Sequence, residues 1–168
     1  MHEVLKDKTL TYISLFSCAG VGCYGFKKAG FACVATNELL ERRLNIQKIN
    51  GKCSFDSGYI CGDITNEEIK RRIFEEIKKW KKLGNDRVDV LIATPPCQGM
   101  SVANHKKSEN EIVRNSLVVD SIRLIQSIRP RFFLFENVAS FTKTGCTAPD
   151  GTVKYIGDVI SEELGSTY

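Results

Sequence analysis

Short apolar runs alternate with longer amphipathic stretches along this chain. Five runs are rich in β-branched and aromatic residues, which favours strands. They cover residues 10–16, 31–36 and 59–61, the run that begins at Asp89, and residues 132–135. Helical patterns separate the runs. This alternation predicts an α/β fold built on one doubly wound, mostly parallel sheet, with right-handed crossovers that place helices on both faces.

The helical periodicity is clearest between the third and fourth runs. Thr65 stands where a helix N-cap is expected, and Glu68 three residues later completes a capping box. Apolar residues then recur at helical spacing and predict a buried face with the tryptophan in the core; they are Ile69, Ile73, Ile77 and Trp80. Further helices are predicted over residues 39–49, 116–128 and 153–164, and a loop over residues 142–150.

The fourth apolar run leads to a cysteine. Pro95 and Pro96 stop the predicted strand because proline cannot donate a ladder hydrogen bond, and Cys97 follows at once. Ligands bind at the carboxyl ends of strands in open α/β sheets, so a thiol here is well placed to be a nucleophile. The alternative is a small buried hydrophobe, the usual role of a free cysteine. The polar segment 98–113 is long for a structureless connection and is expected to be functional or mobile.

Composition narrows the classes of protein that fit. The 168 residues suffice for one domain with a sizeable core, and no window is apolar enough to span a bilayer. The N-terminus has no apolar signal-peptide region, so we expect an intracellular protein. Seven cysteines without a Cys-x-x-Cys pair argue against a zinc site and a disulfide scaffold. The net charge of +4 permits nucleic-acid binding but does not by itself indicate it.

Two acids and a small-residue turn suit a nucleoside ligand at the rim where the strands end. The turn over residues 17–22 would let backbone amides approach a ligand. Glu38 follows the second strand, where an acid can bind ribose hydroxyls, and Asp63 follows the third, where an acid can accept from an adenine amine. Each acid could instead cap a helix. A nicotinamide cofactor also fits, although only Gly20 and Gly22 of its glycine fingerprint are present in the turn.

A second pair of residues suits covalent chemistry. Cys97 and Glu136 follow strands that should be neighbours in the sheet. A thiolate beside a carboxylic acid can add to an electron-poor ring while the acid protonates a ring nitrogen. A papain-like site lacks its base, because His2 is terminal and His105 lies in the polar segment.

These features resemble the successive motifs of the DNA (cytosine-5)-methyltransferases, in order and in spacing, from about residue 10 onward. The motifs in this sequence are Leu15-Phe16-Ser17-Cys18-Ala19-Gly20, Thr36-Asn37-Glu38, Gly62-Asp63-Ile64, Pro95-Pro96-Cys97-Gln98-Gly99-Met100-Ser101, Arg114-Asn115-Ser116-Leu117 and Phe135-Glu136-Asn137-Val138. The resemblance implies a Rossmann-like methyltransferase fold. Residues 1–168 would be the N-terminal part of the catalytic domain, without the target-recognition domain.

The resemblance also implies a cofactor, S-adenosylmethionine, and no metal. Phe16, Ser17, Ala19 and Gly20 would contact its methionine part. The residues expected around its nucleoside are Glu38 at the ribose, Asp63 at the adenine amine, Leu39 and Ile64 flanking the ring, and Pro96 lining the pocket.

The implied substrate is a cytosine flipped out of double-stranded DNA. Cys97 would attack its carbon 6, and Glu136 would hold and protonate nitrogen 3, so that carbon 5 accepts the methyl group. The residues expected to contact DNA are Gln98, Ser101 and Asn137, with Lys106 and Lys107 as further candidates for phosphate contacts.

The sequence departs from the family in three respects. Cys18 stands where the family usually has glycine and is expected to crowd or shift the turn. Ser14 replaces a common acid. The arginine motif that supports the flipped base is absent, and the run 132–135 would be an exposed apolar edge. We therefore expect a complementary chain, or further sequence, to complete the sheet.

Three hypotheses follow from the sequence. The first is a catalytic portion of a cytosine-5 methyltransferase that works in DNA methylation, such as restriction–modification, in bacterial or phage-infected cytoplasm. The second is a non-catalytic fragment or regulatory subunit that binds S-adenosylmethionine or DNA. The third is a dinucleotide-dependent oxidoreductase on the same fold.

Overall fold

Five parallel strands form the central sheet, in a computed structural model that describes residues 9–96 and 117–168. The strands are β1 (Thr11–Leu15), β2 (Ala32–Glu38), β3 (Tyr59–Cys61), β4 (Val90–Ala93) and β5 (Phe132–Phe135). Their order across the sheet is β3-β2-β1-β4-β5, and every neighbouring pair is parallel. The prediction of a doubly wound, mostly parallel α/β sheet is confirmed.

The strand register brings all five carboxyl ends to one rim. Leu15 at the end of β1 pairs with Ala93 at the end of β4, which in turn pairs with Phe135 at the end of β5. On the other side of β1, Glu38 of β2 pairs with Cys61 of β3. Glu38 and the segments that follow β4 and β5 therefore lie at the same rim, and β4 and β5 are neighbours as the sequence predicts.

Helices cover both faces of the sheet. They are α1 (Tyr24–Lys28), α2 (Glu41–Ile49), α3 (Glu67–Lys82), α4 (Leu117–Ile128) and α5 (Ile156–Leu164). The larger core cluster joins Ile13 and Leu91 to residues of α3, α4 and α5. The smaller cluster holds Tyr12 and Ile92, and Phe26 of α1 packs against it. Alternation along each strand sends neighbouring residues to opposite faces, which explains the two clusters. Among the described residues, no helix has the length and apolarity needed to cross a membrane.

Helix α3 begins one residue later than its sequence predicts. The predicted capping box of Thr65 and Glu68 is wrong, because the N-cap is Asn66, whose Oδ1 accepts from the Glu68 amide at 2.9 Å. The Thr65 hydroxyl instead donates to Asp63 Oδ1 at 2.9 Å. The predicted buried face is confirmed for Ile69, Ile73 and Trp80, and Ile77 is half-buried.

A β-hairpin replaces part of the loop and helix predicted near the end of the chain. Strands β6 (Gly145–Thr147) and β7 (Val153–Tyr155) pair antiparallel, so α5 starts at Ile156. The prediction of a loop over residues 142–150 was wrong at Gly145–Thr147, and the prediction of a helix from Val153 was wrong at Val153–Tyr155. The turn between them is closed by Asp150, whose Oδ1 accepts from the Thr152 amide and hydroxyl. Gly151 follows with a φ of 82°.

Candidate cofactor and active site

Side-chain hydrogen bonds tie the ends of β1, β2 and β3 together. At the end of β2, Asn37 Nδ2 donates to the carbonyl oxygens of Ile60 (3.2 Å) and Gly62 (3.0 Å). After β1, Ser17 donates to the Asn37 carbonyl from both its amide and its hydroxyl, each at 3.0 Å. Buried backbone groups that leave a sheet need such partners, so these bonds fix where each strand turns away.

The ends of β1, β4 and β5 are tied in the same way. Thr94 Oγ1 donates to the Phe16 carbonyl at 2.9 Å, and Asn137 Nδ2 donates to the Pro95 carbonyl at 2.8 Å. We call the bonds from Asn37, Ser17, Thr94 and Asn137 the rim bonds. They hold the turn after β1, the segment before Cys97 and the segment with Glu136 in one arrangement.

The turn after β1 takes an unusual backbone path. Phe16 and Cys18 have φ values of 55° and 49°, and Gly20 has 85°. Only glycine adopts this left-handed region at little cost. Cys18 nevertheless occupies it with an exposed side chain, and its amide donates to Glu38 Oε2 at 2.8 Å. The side chain expected to crowd the turn is therefore exposed, while the backbone keeps a path suited to glycine.

Glu38 is buried at the centre of the rim, with 4% of its surface exposed. Its Oε2 holds the Cys18 amide, and its Oε1 accepts from the Leu40 amide at 3.1 Å and from Arg43 Nη1 at 3.2 Å. The N-cap of α2 is Leu40, so Glu38 is not the helix cap that the alternative interpretation assigned to it. A carboxylate has about four lone-pair sites, so three donors leave it further capacity to accept.

Asp63 lies where β3 turns toward α3. Its Oδ1 accepts from the Thr65 amide and hydroxyl, both at 2.9 Å. In the part of the chain that the structure describes, no donor reaches Oδ2. The cap of α3 is Asn66, so this acid is not a helix cap either.

One cavity of about 700 Å³ joins both groups of predicted residues. Eight of the predicted site residues line it: Phe16, Glu38, Leu39, Asp63, Ile64, Pro96, Glu136 and Asn137. Ser17, Ala19 and Gly20 are not among the lining residues, because the turn presents Phe16 and Cys18 to the cavity instead. Cys97, Gln98, Ser101, Lys106 and Lys107 lie outside the described residues, and Pro96, which precedes Cys97, is part of the wall.

The cavity also has walls that the sequence did not suggest. Arg43 and Leu40 close it beside Glu38, and Thr94 closes it beside the turn. Arg43 stands four residues after Leu39, one turn along the helix predicted over residues 39–49, which is the one signal that could have found it. In the sequence, Thr94 is simply the last residue of a predicted strand, and nothing marks it as part of a cavity wall.

The size and lining of the cavity fit a nucleoside-bearing cofactor. Its volume lies within the usual range for small-molecule sites, about 300–1,000 Å³. Leu39, which is 62% exposed, and the buried Ile64 add apolar surface to the wall that carries the two acids, and we call these two residues the apolar slot. In residues 9–96 and 117–168, no group of His, Cys, Asp and Glu is placed to hold a metal ion.

The fold and the cavity define a doubly wound α/β protein with a ligand-sized site at the carboxyl ends of its strands. Residues 10–149 match the family described as C-5 cytosine-specific DNA methylase. The chain belongs to this family, as the motifs of its sequence predict.

Individual relatives agree with this assignment. The Type II methyltransferase M1.HgaI of Avibacterium volantium is 32% identical over 164 residues, which are 96% of this chain and 43% of that protein. The Type II methyltransferase M.NgoPII of Neisseria gonorrhoeae is 36% identical over 127 residues, which are 76% of this chain and 33% of that protein. The chain thus spans less than half the length of these relatives.

A solved structure gives the same result for the fold. The crystal structure of a candidate DNA modification methyltransferase from an E. coli prophage matches with a TM-score of 0.62 at 26% identity. The match covers 95% of this chain and 38% of that one.

Proposed function

We propose that this chain forms part of a DNA (cytosine-5)-methyltransferase, which transfers a methyl group from S-adenosylmethionine to carbon 5 of cytosine in duplex DNA. The observation that carries the proposal is the single cavity. It joins the two acids after β2 and β3 to Pro96 and Glu136 after β4 and β5. A cofactor end and a reaction end therefore share one space.

The cofactor end uses the acids and the apolar slot. Glu38 accepts from the ribose hydroxyls, and Asp63 Oδ2 accepts from the adenine amine, while Leu39 and Ile64 flank the ring. The turn from Phe16 to Gly20 faces the methionine part. When bound, S-adenosylmethionine supplies an electrophilic methyl group. Arg43 keeps the Glu38 carboxylate aimed at the cavity through its hydrogen bond to Oε1.

The reaction end uses Cys97 and Glu136. The thiolate of Cys97 attacks carbon 6 of a cytosine flipped out of the duplex, and Glu136 holds and protonates nitrogen 3. Electron density then moves to carbon 5, which becomes the nucleophile. After transfer, loss of the carbon 5 proton and of the thiol restores the aromatic ring. Gln98, Ser101 and Asn137 contact DNA, and Asn137 also keeps the rim bond to Pro95 that positions the segment leading to Cys97.

The remaining parts of the enzyme are proposed to come from a complementary chain or from further sequence. Residues 1–168 then form the N-terminal part of the catalytic domain, and the partner supplies the target-recognition domain. Two observations support this division. The chain spans less than half the length of its relatives, and β5, at the edge of the sheet, exposes Phe132 and Leu134. We place this activity in the cytoplasm of bacterial or phage-infected cells, with double-stranded DNA as substrate.

The lining of the cavity also supports a second candidate function, because Glu38 and Asp63 can bind a nucleoside whether or not Cys97 reacts. The chain would then bind S-adenosylmethionine or DNA as a regulatory subunit without turnover. The two candidates differ in whether Cys97 forms a covalent adduct.

A trapping experiment tests the proposed function. The chain is mixed with its complementary half, S-adenosylmethionine and a pool of duplexes that carry 5-fluorocytosine, which cannot lose its carbon 5 substituent after methyl transfer. We expect a denaturation-resistant protein–DNA adduct that Cys97→Ser abolishes. Glu136→Gln should slow its formation by about 10²- to 10⁴-fold, the usual contribution of a general acid.

The matched control is Cys53→Ser, which changes a half-buried cysteine outside the cavity and should leave the adduct intact. Absence of an adduct when the complementary half is present would contradict catalysis and favour the regulatory subunit.

A further inference from the structure

Gln47 is the one glutamine in the core of the described chain, and its sequence neighbourhood gives no hint of a role. It lies on α2 and is 1% exposed. Glutamine is seldom fully buried because its amide needs three or four partners. Only Leu44 shares its burial within this helix. A buried amide on an otherwise polar helix calls for an explanation.

The amide of Gln47 connects the turn after β1 to β2. Nε2 donates to Ser17 Oγ at 2.8 Å and to the Cys18 carbonyl at 2.6 Å, and Oε1 accepts from Thr36 Oγ1 at 2.8 Å. The carbonyl oxygen of Cys18 can only accept, so the nitrogen must face the turn. Lys52 Nζ donates to Thr36 Oγ1 at 3.0 Å, which leaves the Thr36 hydroxyl proton for Gln47.

The two peptide groups that flank Cys18 are therefore both held by side chains. Glu38 binds the Cys18 amide, and Gln47 binds the Cys18 carbonyl. These two contacts enclose a residue whose φ of 49° is a conformation that L residues rarely adopt. The turn also packs directly on the glutamine, since a Cβ added to Gly20 would lie 3.0 Å from Gln47 Cγ.

We propose that Gln47 is a positioning residue for the methionine part of S-adenosylmethionine: its amide holds the turn from Phe16 to Gly20 in the shape that receives this part of the cofactor. The inference rests on the proposed function for the identity of the ligand. Strain of this kind persists only where surrounding contacts impose it, and Gln47 supplies one of these contacts from outside the cavity. Thr36 and Lys52 fix the direction of its amide.

The first test compares two ligands on the Gln47→Leu variant by calorimetry. S-adenosylhomocysteine has both the nucleoside and the amino-acid part, whereas adenosine has only the first. Removing two hydrogen bonds to the turn should weaken S-adenosylhomocysteine binding by about tenfold. Adenosine binding should change by less than about twofold, because Glu38 keeps its bonds to Leu40 and Arg43. A residue that only stabilises the fold would lower both affinities together or neither.

The matched control is Gln126→Leu, on α4, where the amide donates to Glu163 at the surface. Both affinities should match the wild type. An unchanged ratio of the two affinities in Gln47→Leu would overturn the inference and leave the proposed function intact, since the wild type would still bind S-adenosylhomocysteine.

The second test needs no ligand and decides the positioning role even if the wild type binds neither compound. Hydrogen exchange in the ligand-free protein should be faster at the amides of Cys18 to Gly20 in Gln47→Leu than in the wild type. Exchange in β4 should be the same in both. Equal protection of the turn in both proteins would overturn the inference, whereas failure of wild-type binding alone would count against the proposed cofactor.

Discussion

Gly62 shows how one residue allows the rim to form. Its φ is 140°, and a Cβ built on it would lie 2.5 Å from Ile69 Cδ1 and 2.9 Å from Ile69 Cγ1. The Gly62 carbonyl also accepts the bond from Asn37. The first turn of α3 can pack against the end of β3 only because this position has no side chain.

We expect Gly62→Ala to lower the free energy of unfolding by about 2–4 kcal/mol, the sum of an overpacking cost and a strained backbone. Urea denaturation of the purified chain measures it. Gly84→Ala is the control, because Gly84 also has a positive φ (95°) but nothing within 4 Å of the added carbon. Equal losses in the two variants would show that contact with Ile69 is not the cause.

Sequence reasoning placed three acids that line the cavity, but it missed the residues that hold Glu38 and the turn after β1. Glu38, Asp63 and Glu136 could be placed together because each follows a strand, and parallel strands end at a common rim. Arg43 and Gln47 lie on α2, whose face toward the sheet is not marked by an apolar stripe, since Leu44 is its one buried apolar residue. Side-chain partners of this kind depend on distances that sequence spacing does not contain.

At the scale of elements, the five strands of the sheet were predicted well and the two strands of the hairpin were not. The strands of the sheet are buried on both faces at β1 and β4, so their sequences are continuous and distinctive. The hairpin of β6 and β7 has only three residues in each strand. Its Asp150-Gly151 turn is a recognised hairpin signal, but Pro149 next to it also favours a loop.

The hairpin buries the thiol of Cys146, so the free energy of unfolding varies with pH in the alkaline range. Burial raises the pKa of Cys146 from its ordinary value of about 9 to about 11. The folded protein therefore keeps a proton that the unfolded chain has lost. This contribution to stability is fully present below pH 9 and is lost as the pH rises toward 11. Burial raises the pKa of Tyr12 as well, which acts in the same direction.

We expect the free energy of unfolding to fall as the pH rises from about 9 to about 11, and Cys146→Ala to make that fall shallower. Denaturation at a series of pH values measures both slopes. Val159→Ala removes a buried side chain from α5 without a titrating group, so it should lower stability equally at every pH. A slope unchanged by Cys146→Ala would contradict the role of this thiol.

At the scale of the whole molecule, β5 forms an edge of the described sheet and leaves apolar side chains exposed to solvent. Phe133 and Phe135 pack inward against Tyr168 and Phe141. Phe132 and Leu134, on the other face, are 63% and 46% exposed. An apolar edge strand of this kind is a template for pairing with another strand. The sequence predicted this exposure, because a run of four apolar residues suits an interior strand.

We expect the chain alone to associate as its concentration rises, and Leu134→Lys to suppress this, because a lysine on an edge strand opposes pairing. Sedimentation velocity measures the change. Val153→Lys is the control, since Val153 is as exposed as Phe132 but lies on the hairpin. A wild-type chain that stays monomeric at high concentration would argue that the edge needs no cover.

The topology was predictable only as a class. Alternating strands and helices indicate a doubly wound sheet, but the position of β4 between β1 and β5 depends on how the crossovers pack. The family resemblance supplied what periodicity lacks, since its motifs mark which strand ends meet. Its departure at Cys18 drew attention to the turn that Glu38 and Gln47 hold in this chain.

The turn at Cys18 is held by the protein's own side chains. Since its two flanking peptides are already engaged, a small molecule arriving there meets a surface that has little conformational freedom left to lose. Binding at this turn is therefore to a preorganised surface. Its selectivity depends on how well the ligand fits, and little free energy is spent on ordering the protein.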